Sequence, residues 1–141
     1  MVRATIVILC LALGAVFVAC GDDDSSAPPP ADVAATWKGS VALEDGSQQA
    51  DLCMLLTQKD RDFSGTVGNG GPAVAGKATD AGVSLVVQAP ASGETPVGAA
   101  ALLAGAVLSG DLEDDTLTGV WVSALGKGTW TMARTSETAC P

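Results

Sequence analysis

The 141-residue chain contains no histidine and no tyrosine. Without histidine there is no imidazole for a Ser-His-Asp triad, no imidazole metal ligand, and no side chain that titrates unperturbed near neutral pH. Basic residues are scarce too: seven Lys and Arg stand against sixteen Asp and Glu, a formal charge of −9. Nucleic acid is held by neutralising phosphates, so this balance carries no footprint for it. No Walker or dinucleotide glycine pattern occurs, no CxxC pair is present, and no serine has an activating base nearby in sequence. These absences set the expectation of a protein that is not an enzyme and needs no metal or cofactor. Aromatics are limited to two Phe and three Trp beside seventeen Gly, which points to a lightly packed, turn-rich fold.

Long apolar runs are limited as well. After Arg3, residues 4–19 are sixteen uncharged positions, the size of a signal-peptide core and short of the roughly 20 residues of a membrane-spanning helix. The run ends in Phe17-Val18-Ala19-Cys20, with polar sequence immediately after. This resembles the lipobox of bacterial lipoproteins, with Phe17 where that family usually has Leu. The resemblance implies cleavage before Cys20, acylation of its sulfur and anchoring in a membrane of the bacterial cell envelope. Several acyl chains together anchor firmly, at about 0.8 kcal/mol per buried CH₂. An uncleaved signal anchor and an ordinary export signal cut nearby are the alternatives. Cys10, inside the apolar core, would leave with the signal. The segment that follows, "GDDDSSAPPPAD", has no aliphatic residue larger than alanine, and Pro28 to Pro30 favour an extended spacer. Residues 20–34 are therefore read as a tether, and its acidic triplet Asp22 to Asp24 as solvated charge.

Removal of the first 19 residues leaves 122, one domain's worth, with a formal charge of −10. Besides Cys20 it holds Cys53 and Cys140. In an oxidising compartment these two are expected to pair, closing a loop of 87 residues.

Residues 35–141 break into short runs between turn signals. The runs are 36–43, 52–58, 63–68, 73–79, 83–89, 100–112, 116–124 and 129–134, and Asn69-Gly70-Gly71-Pro72 is a hairpin signal. Val83, Leu85 and Val87 alternate with Ser84 and Gln88, and Leu117, Val120 and Val122 occupy another β-rich run. Eight such strands predict an all-β domain, an antiparallel meander barrel in preference to a sandwich. A loose repeat, apolar-x-Gly, ends at Gly39, Gly65, Gly76, Gly110 and Gly119. Repeated glycine inside strands suggests bends or close backbone approach, which a small closed barrel needs. Residues 97–110 lack alternation and are rich in Ala and Leu. They allow a strand buried on both sides, a short helix closing a barrel end, or an apolar lip, with core packing the default.

Trp37 early in the first strand and Arg134 at the end of the last resemble the calycin group of lipocalins, avidins and fatty-acid-binding proteins. Ala35 replaces the usual glycine two residues before the Trp. The resemblance implies that Arg134 packs over Trp37 to close one barrel end, and implies ligand binding only by analogy. Trp121 and Trp130 lie on neighbouring runs and form either the lining of a cavity or core plugs. Asp111 to Asp115 ("DLEDD") places four carboxylates at a turn, read as solvated hairpin charge rather than a calcium site. The expected function is non-enzymatic binding in the cell envelope, with the membrane reached through Cys20. The partner is a small apolar ligand inside the barrel or a surface component outside it. The alternative is a protein-interaction module, such as an inhibitor of an exported hydrolase.

Overall fold

Alternation decides the architecture. The computed structural model describes residues 29–90 and 94–141. Its strands are β1 (Ala35–Leu43), β2 (Gln49–Lys59), β3 (Asp62–Val67), β4 (Ala73–Ala78), β5 (Gly82–Val87), β6 (Val107–Glu113), β7 (Thr116–Ser123) and β8 (Gly126–Thr135). Each pairs antiparallel with its chain neighbour, and β8 pairs with β1, giving a closed eight-stranded meander barrel. Closure removes every free sheet edge. In β8, Gly128, Trp130 and Met132 are buried while Thr129, Thr131 and Ala133 are exposed, a period of two that sends one face inward.

The apolar-x-Gly repeat has a steric meaning. All five of its glycines stand two positions after a buried apolar residue, on the inward-facing parity of their strands. A Cβ at Gly39 would run into the carbonyl oxygen of Thr131, and one at Gly119 into that of Ser109. The neighbouring backbones occupy the space a side chain would need, and this lets a small sheet coil tightly enough to close. The tryptophans lie over such points. Trp121 stands opposite Gly128, and Trp130 opposite Gly119, so the two rings do not form a direct cross-strand pair.

Both barrel ends are closed, by different means. Of the readings open for residues 97–110, the short helix closing a barrel end is the one observed: α1 spans Ala99–Leu103, and the strand of the run 100–112 begins only at Val107. Ala and Leu favour helix, and Gly98 and Gly105, both with positive φ, bracket it. Leu102, Leu103 and Ala106 are buried over this end, and the Ser123 hydroxyl donates to the Leu102 carbonyl at 3.3 Å. At the opposite end residues 31–34 cross the opening with Val33 fully buried. We refer to these as the cap end and the plug end.

Candidate functional site

The plug end is built from polar groups aimed at backbone. Gln58 continues the inward series Leu52, Met54, Leu56 of β2, where an apolar residue is expected. Its Oε1 accepts from Val33 N–H at 2.7 Å, and its Nε2 donates to the carbonyls of Ala31 at 2.9 Å and Asp60 at 2.8 Å. The Trp37 indole donates to the Val33 carbonyl at 2.9 Å. The Arg134 guanidinium lies 4.7 Å from the Trp37 ring centroid, donating to the Asp32 carbonyl at 2.6 Å and to Asp115 at 3.0 Å. Trp37 and Arg134 therefore meet at the end where the chain enters the barrel.

The interior between the ends is occupied by side chains. Trp121 is fully buried, and Trp130 is 2% exposed. Trp121 Nε1 donates to the carbonyls of Ala42 at 3.1 Å and Thr129 at 3.2 Å; Trp130 Nε1 donates to those of Ser109 and Val120, both at 3.2 Å. Buried indoles with their N–H groups satisfied by backbone belong to the packing of the core. Leu52, Met54, Leu85, Leu108, Leu117 and Met132 fill the space around them.

Cys53 and Cys140 form a disulfide across 87 residues of sequence. It ties the tail after β8 to the outer face of β2, and Lys38 pairs with Glu137 along the way. Beside this tail, at the cap end, lies a groove of about 550 Å³. Lys38, Asp51 and Asn69 supply its polar rim, and Leu52, Val97 and Ala100 its apolar lining. Val97 is 78% exposed. It follows Pro96 in the connection between β5 and α1 and also lines a second groove, of about 380 Å³, with Pro72, Pro90 and Glu94.

The acidic residues 111–115 divide between β6 and its turn. Asp114 has positive φ, and Asp115 pairs with Arg134. In the β1–β2 turn the hydroxyl and backbone N–H of Ser47 hold the Asp45 carboxyl below its ordinary 3.8. Cys20, the apolar run 1–19 and Asp22 to Asp24 lie outside the described residues. No helix among the described residues is long and apolar enough to cross a membrane.

Two features were not singled out from sequence. Gln58 was detectable as a polar residue in an inward register. Val120 and Val122 were grouped with Leu117, but they have the opposite parity: Trp121 and Leu117 point in and the two valines point out. Comparison with protein-family models, with curated proteins and with solved structures finds no match to the chain.

Proposed function

We propose that the protein is a lipoprotein of the bacterial cell envelope, anchored through acylated Cys20, whose barrel binds a surface component of the envelope through its outside. The observation that carries the outside site is the burial of Trp121 and Trp130 as plugs, which leaves their part of the interior to side chains. The groove beside the disulfide tail offers an alternative concave surface, with apolar lining and a few polar groups on its rim. A partner there is a macromolecular surface rather than an enclosed small molecule. Val97, projecting from a proline-flanked connection, also supports the inhibitor-type reading, in which this loop enters a partner's cleft.

Native mass spectrometry of the full chain purified from its own cells tests both parts. It is expected to give a protein mass beginning at Cys20 with acyl groups and no stoichiometric apolar guest. An unmodified chain beginning at Met1 would refute the anchor, and a retained guest would refute the filled interior. Replacing Val97 with Asp is expected to weaken partner capture without changing the thermal midpoint.

A further inference from the structure

The Cys53–Cys140 bridge joins two unequal partners. Cys53 sits within β2, held by the ladder to β1, and its carbonyl accepts from Gly68 N–H at 2.8 Å. Cys140 lies on the tail after β8, where residues 136–141 make no backbone–backbone hydrogen bond among the described residues. Besides the bridge, the Lys38–Glu137 ion pair ties this tail to the wall, and with both side chains partly exposed it holds only weakly. Barrel closure runs through the β1–β8 ladder, from Thr36–Thr135 to Leu43–Gly128, and uses none of the tail. Opening the bridge therefore frees the tail and leaves the sheet paired.

Lys38 stands directly opposite Cys53 across β1 and β2, on the outer face. Directly opposed Cβ atoms lie about 4.5–5.5 Å apart. An ammonium at that range favours a thiolate over a thiol. The groove beside Cys53 also holds Asp51, two residues earlier on the same face and opposite Ser40, and the tail brings Glu137 to Lys38. Gly68 and Asn69, on the β3 side, carry no charge. When the tail leaves, Glu137 leaves with it, and Lys38 exchanges a carboxylate partner for the Cys53 thiolate. Cys53 lines the groove of about 550 Å³, which gives access to its side of the bridge, whereas Cys140 is 5% exposed.

We infer that the bridge is a redox-reversible latch: Cys53 is the reactive thiol, Lys38 steadies its thiolate, and Cys140 is the resolving thiol on a releasable tail. A dithiol reductant supplies the electrons. One of its thiolates attacks Cys53 Sγ, and the Sγ–Sγ bond breaks with its electron pair on Cys140 Sγ, which takes up a proton. The reductant's second thiolate then attacks the first reductant sulfur, closing the reductant's own disulfide and releasing Cys53 as a thiolate facing Lys38. Two electrons pass from the dithiol to the bridge, and the second proton goes to solvent. Pro141 borders the groove and departs with the tail, so reduction opens the groove on the side of Cys53. The latch stands independently of the lipid anchor and adds a control to the groove described above.

The test uses the full chain carrying Cys10→Ser and Cys20→Ser, so that Cys53 and Cys140 are its only cysteines. This parent is reduced with dithiothreitol below its melting temperature and alkylated with iodoacetamide, and both sites are read by peptide mass spectrometry. The bridge is expected to open without denaturant while the far-ultraviolet circular dichroism stays unchanged. Cys140 should then alkylate at the rate of a free peptide of residues 134–141. In Lys38→Met, alkylation of Cys53 at pH 7 is expected to slow about twofold, a roughly fourfold loss of thiolate partly offset by higher nucleophilicity. Glu137→Gln removes the tail's ion pair and keeps the ammonium, so Cys53 should react there as fast as in the parent. Lys38→Arg keeps the charge and should restore the parent rate, which separates the charge from any loss of stability in Lys38→Met. A bridge that opens only in denaturant, a barrel that unfolds on reduction, or a Cys140 that stays protected would each overturn the proposal. So would equal Cys53 rates in the parent and Lys38→Met, or an arginine variant as slow as the methionine one.

Discussion

Gln58, Arg134 and Thr36 show how single polar groups are handled in so small a barrel. Gln58 and Arg134 face a barrel end, and each spends a donor on a backbone carbonyl of the entering chain. Thr36 is 2% exposed, and its Oγ1 has no hydrogen-bond partner among the described residues. An unsatisfied buried hydroxyl costs about 1–3 kcal/mol, whereas an apolar group of the same shape avoids that cost. Thr36→Val is accordingly expected to raise stability by about 1 kcal/mol, read as a higher denaturant midpoint with an unchanged slope. Gly119→Ala should act in the opposite sense. Its Cβ would meet the Ser109 carbonyl and the Gly110 Cα, both backbone, so the strain cannot be relieved by a rotamer change. A loss of about 1–3 kcal/mol is expected, and a variant as stable as wild type would show that glycine is not required for the coil there. These glycines were legible in the sequence because their signal is local, an apolar residue two positions earlier. Thr36 was not, because its burial depends on what packs over an outward position.

At the scale of elements, the strands were legible where one face alone is apolar. In β5, Val83, Leu85 and Val87 alternate with exposed Ser84 and Val86, and the boundaries lie close to the expected ones. Two places defeated the same reasoning for different reasons. In residues 97–110 apolar residues occupy consecutive positions, so period cannot separate helix from buried strand. The observed split at Gly105, helix before and strand after, follows from a positive-φ residue that neither element accommodates inside it. In β7, Val120, Trp121 and Val122 are apolar on both faces, and only the barrel's register shows that the indole takes the inward place. The tail after β8 is held by a covalent link and an exposed ion pair, the latter contributing little. The link across 87 residues is worth about 4–5 kcal/mol in the chain-entropy account. Cys140→Ser should lower the melting temperature by more than about 10 °C. A midpoint unchanged by the substitution would assign the bridge a role other than stability.

For the whole molecule, the two ends and the wall divide the work. The plug end receives the chain and carries much of the acidic charge, including Asp32, Asp60, Asp80, Asp114 and Asp115. The cap end carries the grooves and most of the exposed apolar side chains. The barrel's closure and strand number were readable from run lengths and turn signals. The candidate surfaces were not, because they depend on which apolar residues face outward, and composition is blind to facing. The account stands or falls on whether the barrel acts through its exterior. All three tryptophans lie inside, so an apolar molecule entering the ring would touch at least one of them. Titration of the purified protein with cis-parinaric acid, followed by tryptophan fluorescence, is therefore the most direct measurement. Emission that stays constant apart from inner-filter loss is the expected result, and saturable one-to-one quenching would contradict it.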